Sequence, residues 1–99
     1  MNDIRLRLNE AGRGAFYLQE NQERLAEMEI SVSKGVLTVY HTEVAEKLKG
    51  KGVASELLKA MVSYAREKNL KVVPLCPYVH SRFKKDPEAY ADLWKPGNL

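Results

Sequence analysis

Apolar and polar residues alternate through the first part of the chain. Ile4, Leu6 and Leu8 alternate with Arg5, Arg7 and Asn9, which predicts a strand with one buried face. Gly12-Arg13-Gly14 reads as a turn. Residues 15–19, with Phe16, Tyr17 and Leu18, read as a second strand, followed by the polar connection Glu20-Asn21-Gln22-Glu23. Ala26, Met28, Ile30 and Val32 alternate with Glu27, Glu29 and Ser31 in a third strand. Ser33-Lys34-Gly35 is a hairpin connection in which Gly35 supplies a positive φ. Residues 36–41, rich in β-branched and aromatic side chains, form a fourth strand. Strands in succession with short links imply an antiparallel meander.

The period then changes. Ala54, Leu57, Leu58, Met61, Val62 and Ala65 follow helical spacing, with Ser55, Glu56, Lys59, Ser63 and Arg66 opposite. Asn69 fits the C-terminal end of that helix. Residues 71–75 read as a fifth strand in which Pro74 marks a splayed position, since proline cannot donate to a ladder. Tyr78, Val79, Arg82 and Phe83 suggest a short helix. Asp86-Pro87 would cap and open a last helix running through Leu93 and Trp94. The order β-β-β-β-α-β-α-α makes an α+β fold on a mixed, mostly antiparallel sheet, with the strands flanking the long helix parallel. Residues 1–99 read as a single domain without repeats or linkers.

Composition narrows the function classes. Apolar residues make up 44% of the 99 and charged residues 29%, values of a folded globular chain. No apolar run is long enough for a membrane helix, and the start, Met1-Asn2-Asp3-Ile4-Arg5, lacks an apolar signal segment. One cysteine, Cys76, excludes an internal disulfide and a multi-cysteine zinc site, so no metal is expected. A cytoplasmic monomer is the expectation. The net charge of +3 argues against nucleic acid, as does the lack of a basic, aromatic sheet face.

The most informative segment is Lys47-Leu48-Lys49-Gly50-Lys51-Gly52-Val53-Ala54, between the fourth strand and the long helix. Alternate glycines allow close approach to backbone, the helix start carries unpaired N–H groups, and Lys47, Lys49 and Lys51 add positive potential. That combination suits phosphate or pyrophosphate, although an ordinary strand-to-helix connection can look the same. It is neither a Walker loop nor a dinucleotide fingerprint.

The spacing Lys47-x-x-Gly50-x-Gly52 after a meander resembles the acetyl-CoA pyrophosphate loop of the GNAT superfamily of N-acetyltransferases, with lysine where Gln or Arg is usual. His41-Thr42-Glu43-Val44, Tyr64-Ala65-Arg66 and Val73-Pro74-Leu75-Cys76-Pro77-Tyr78-Val79 resemble its small single-domain members, so the likeness covers nearly the whole chain. It implies acetyl-CoA as cosubstrate, its diphosphate over the 50–54 backbone and its pantetheine arm in a splayed β4–β5 pair, with an unnamed amine as acceptor. It also implies a general base at the end of strand four, which points to Glu43. His41 is the other base candidate, imidazole being suited to proton exchange near neutrality. Where members often carry Asn-x-x-Ala and a tyrosine that protonates the CoA thiolate, this chain has Cys76, Val79 and Phe83. Phenylalanine has no proton to give, so Cys76 could serve as acid or acetyl acceptor, Tyr78 could serve as acid, or Cys76 could be a packed residue. Arg82, Lys84 and Lys85 could meet the 3′-phosphate of CoA or lie solvated. Glu27 and Glu29 either attract a cationic acceptor or face solvent. A CoA-binding or protein-interaction module without turnover is the alternative.

Overall fold

The computed structural model describes residues 3–95. Met1 and Asn2, at the start of the segment read for a signal, lie outside the described residues, as do positions 96–99 of the expected domain. Five strands, β1 (Arg5–Leu8), β2 (Arg13–Glu20), β3 (Glu23–Ser33), β4 (Val36–Val44) and β5 (Lys71–Pro74), form one sheet in the order β1-β2-β3-β4-β5. The first three pairings are antiparallel and β4–β5 is parallel, with α1 (Val53–Glu67) as the crossover. A shorter helix, α2 (Pro77–Lys85), follows β5.

One sheet face is apolar. Phe16 and Leu18 of β2, Met28 and Ile30 of β3, and Leu37 and Val39 of β4 pack in one core with the buried stripe of α1, Val53, Leu57, Leu58, Met61, Val62 and Ala65. Asn69 adopts φ 57 just past α1, where a left-handed residue ends the helix. No polar or charged residue is buried among the described residues.

Four local expectations need correction. The first turn is not Gly12-Arg13-Gly14: Asn9 Oδ1 accepts the N–H groups of Ala11 (2.9 Å) and Arg13 (3.0 Å), so the reversal closes earlier and β2 starts at Arg13. β4 runs past His41 to Val44, and a 3₁₀ turn, Glu46–Leu48, precedes the glycine loop. β5 stops at Pro74, leaving Leu75 outside it. The expected last helix is a single 3₁₀ turn, Pro87–Tyr90, and Asp86 makes no side-chain cap. The chain leaves helical geometry because it must seal the core: Leu93 O accepts the Val72 N–H at 2.9 Å at the edge of β5, and Leu93 and Trp94 are buried.

Two features set β4 apart from β5. On β3 the register jumps between Glu29, opposite His41, and Ile30, opposite Val39, so Tyr40 is an extra residue in β4. Such a bulge bends its strand and sharpens its twist. At the same level the parallel ladder ends at the Val39–Pro74 pair, and the last tie is Cys76 N–H to Val39 O at 2.9 Å. From Tyr40 onward β4 has no strand on its β5 side.

Candidate active site

The gap left by this divergence is a cleft of about 610 Å³. Thr42, Glu43 and Val44 of β4 form one wall, the Leu48–Ser55 region the other, and Tyr78 of α2 closes an end. The glycine loop faces it directly. Gly50 and Gly52 hold φ +81 and +79, and a Cβ built at either would meet nothing within 4 Å. No side chain caps the start of α1. The first N–H groups of this helix therefore receive no cap from the residue that precedes them, and they carry the positive end of the helix dipole at the cleft wall. An anionic group fits there without displacing anything.

The lysines divide. Lys49 lines the cleft, its Nζ 3.5 Å from Glu46, whereas Lys47 turns away to Glu23 at 3.4 Å. Lys51 is exposed and does not line the cleft. Val53 has a buried side chain, so it and Ala54 meet the cleft at the helix start.

The bulge decides where the candidate bases stand. Beyond Tyr40, Thr42 and Val44 lie opposite Met28 and Ala26 on the apolar face, and His41 and Glu43 lie opposite Glu29 and Glu27 on the other. Glu43 is exposed, and its Oε2 is 3.6 Å from His41 Nε2. Glu43 lines the cleft and also a second hollow of about 350 Å³ with Arg24, Leu25, Ala26, Glu27 and Ala45. His41 lines neither. A carboxylate between two hollows can take a proton from a group in one as it reacts with a group in the other.

The acid candidates also separate. Cys76 is 2% exposed and does not line the cleft; its sulfur is 3.2 Å from Thr42 Oγ1, which does. Phe83 is fully buried, stacked on Tyr90 at 4.4 Å and tilted against Trp94 at 5.6 Å, so it offers no surface to a cofactor. Phe83, which the family resemblance brings next to the cofactor, is not among the residues that line the cleft. Tyr78 is the half-buried aromatic at the cleft, and Arg82 Nη1 donates to its hydroxyl oxygen at 2.9 Å. That bond occupies a lone pair and leaves the O–H free to donate. Arg82 is thus engaged with Tyr78. Thr42, Leu48 and Ser55 are cleft residues that sequence reasoning missed. Only the inversion of strand parity at Tyr40 exposes Thr42, and an extra residue has no signature in alternation alone.

Among the described residues, no three His, Cys, Asp or Glu side chains group closely enough to hold a metal, and no helix is long and apolar enough to cross a membrane.

The profile of the GCN5-related N-acetyltransferase family matches residues 15–93. The solution structure of a GCN5-like protein from Staphylococcus aureus, named there as a candidate N-acetyltransferase, is 31% identical. It superposes with a TM-score of 0.68 over 96% of this chain and 91% of its own. The ribosomal-protein-alanine N-acetyltransferase of Brucella melitensis shares the fold at a TM-score of 0.61 and 18% identity, over 92% of this chain and 67% of its own. Protein NATD1 of Gallus gallus is 34% identical over 56 residues, 57% of this chain and 51% of that protein, and the Homo sapiens form matches to the same extent. This chain thus spans about half the length of the NATD1 relatives it matches.

Proposed function

Because the chain belongs to the GCN5-related N-acetyltransferase family, we propose that it transfers an acetyl group from acetyl-CoA to an amine, the CoA lying in the β4–α1 cleft and the amine reaching Glu43 from the opposite side. The observation that carries this reading is the junction at Glu43, where a cleft floored by helix-start amides meets a second hollow. Bound acetyl-CoA would supply the reactive thioester carbonyl. The helix-start amides, with Gly50 and Gly52, would hold its diphosphate, and Lys49 would add a screened positive charge. The unpaired stretch of β4 beyond Val39 offers backbone groups to the pantetheine arm.

The chain's residues then manage protons. The amine nitrogen bonds to the carbonyl carbon and the carbon–sulfur bond breaks. Glu43 takes the proton that nitrogen releases, directly or through one water. His41, 3.6 Å away, can hand that proton to solvent. The departing sulfur needs a proton in return, and Tyr78 is the donor best placed to give it, because it lines the cleft while Cys76 and Phe83 do not. Cys76 then acts through Thr42, as a neighbour that fixes the β4 wall.

The second reading, a CoA-binding module without turnover, rests on Phe83, which cannot supply the proton tyrosine gives at that place in the family. Titration with CoA followed by detection of released thiol over a panel of amines tests both. CoA binding with amine-dependent thiol release supports the transferase. Binding without release supports the module, and absence of binding overturns both.

A further inference from the structure

The outer face of the sheet carries two cross-strand rows. One runs Arg5–Tyr17–Glu27–Glu43 and the other Arg7–Ala15–Glu29–His41, from β1 at the edge to β4 at the cleft. Charge is sorted along them. Arginines stand on β1 and carboxylates on β3 and β4, with Tyr17 and the small Ala15 between.

The hollows along this face adjoin one another through shared residues. The cleft shares Glu43 and Val44 with the second hollow, and the second hollow shares Arg24 and Glu27 with a third of about 400 Å³. Gly14 and Ala15 help floor this third hollow, and Arg7, Arg13 and Arg24 surround it with Glu27 and Glu29. The two carboxylates are already answered: Arg24 meets Glu27 at 3.1 Å and Arg13 meets Glu29 at 3.6 Å. Arg24 also lies over the Tyr17 ring at 4.1 Å and Arg13 over Tyr40 at 4.8 Å, which holds both guanidinium groups in place. Arg7 has no carboxylate partner among the described residues. The β1 end of the trough therefore has one positive charge in surplus, and the β4 end has Glu43, beside His41 at 3.6 Å and across the strands from Glu27, whose charge Arg24 answers.

We propose that this trough is the acceptor site, and that it selects an extended primary amine bearing an anionic group about 16 Å from the reacting nitrogen. The inference rests on the transferase reading and names its substrate class. The spacing follows from three interstrand steps of ~4.8 Å between β4 and β1 and two residues of ~3.3 Å along the strand, since Arg7 lies one row over from Glu43, a diagonal of about 16 Å. The amine sits at Glu43, beside the cleft. The anionic group lies among Arg7, Arg13 and Arg24. An extended peptide advances ~3.3 Å per residue, so an acidic side chain about five residues on from the terminal residue spans the distance.

Peptides of one length, with aspartate, alanine or lysine at the sixth position from a free N-terminus, provide the test. The probes are assayed for thiol release with acetyl-CoA and for binding to the CoA-loaded protein by amide shifts. The aspartate peptide should show a kcat/KM roughly two- to fivefold above the alanine peptide at low salt, the yield of one exposed ion pair. That preference should fade at ~0.5 M salt. Arg7→Glu should reverse the order, so that the lysine peptide becomes the best of the three, a result that mere structural damage would not produce. Thermal melting of the variant shows whether it folds; if it does not, Arg7→Gln should erase the preference without reversing it. Turnover with no charge preference in the parent protein overturns the acceptor site and leaves the transferase standing. Charge-dependent binding without turnover leaves the trough a peptide-binding surface and overturns both its acceptor role and the transferase. Neither binding nor turnover overturns both.

Discussion

Replacing Gly52 separates the two roles of the glycine loop. Gly52 precedes α1 with φ 79 and ψ 12, the left-handed region. A Cβ there would meet nothing within 4 Å, so Gly52→Ala creates no collision in the free protein. Its cost is conformational, about 1–2 kcal/mol for a non-glycine residue in that region. Gly35, in the β3–β4 hairpin with φ 80 and equally open space, carries the same intrinsic cost far from the cleft. Gly35→Ala and Gly52→Ala should therefore melt at similarly lowered temperatures. They should differ in CoA affinity. The Gly35 variant should bind as the parent does, whereas at Gly52 the new methyl group projects into the space the diphosphate must fill. The larger Gly52→Val should weaken binding at least tenfold, or ~1.4 kcal/mol. Calorimetric titration with CoA, paired with thermal melts, reads both quantities. If Gly52→Val binds CoA with parental affinity, the diphosphate does not lie on this loop.

Glu43→Gln should lower turnover by roughly 10²–10⁴-fold at pH 7 with little change in CoA affinity, and the deficit should shrink as rising pH deprotonates the amine; an unchanged rate removes Glu43 and moves the base to His41. Tyr78→Phe should slow thiol release more than Cys76→Ser does, measured side by side at saturating CoA; the opposite ranking returns the proton to Cys76. Phe83→Tyr should not raise turnover, and burying its hydroxyl between Tyr90 and Trp94 should cost about 1–3 kcal/mol in denaturant melts; a faster enzyme would show that the position reaches the reacting sulfur. Arg66 donates from Nε to Asp92 Oδ2 at 2.9 Å and holds that carboxyl below its ordinary range. The bond therefore stabilises the fold above about pH 4 and is lost as pH falls below it. Asp92→Asn should destabilise the fold at pH 7, by no more than ~1 kcal/mol for so exposed a pair, and melts at successively lower pH should show the difference from the parent shrinking as the carboxylate takes up its proton.

The meander, the crossover helix and the parallel last pair were legible because each rests on a local pattern: period two through Ile30 and Val39, helical spacing from Ala54 to Ala65, a left-handed stop at Asn69. The errors fell where a side chain or a distant segment overrode local pattern. Asn9 closes the first turn through its amide oxygen, a contact that glycine counting cannot see. The tail from Pro87 has proline and periodicity enough for a helix, yet Val72 and Phe83 need covering, and Leu93 and Trp94 supply it only if the chain uncoils. Of the candidate site, the loop was visible from Gly50 and Gly52. The fate of Phe83 was not, because its place in the family motif says nothing of the packing around it.

The single residue Tyr40 links these observations. Strict alternation from Leu37 and Val39 would turn His41 and Glu43 toward the core and Thr42 away from it. One extra residue inverts that order. It places Thr42 against Cys76 on the cleft side and Glu43 on the charged face, at the head of the row that ends in Arg5. The same bulge bends β4 at the level where Pro74, lacking an N–H, ends the ladder. Either device alone would do half the work. A ladder ended by Pro74 beside an unbulged β4 would bury Glu43 under α1. A bulged β4 still paired along its length would leave no opening between the strands. Together they open the cleft and put a carboxylate at its mouth, facing the side from which the amine arrives.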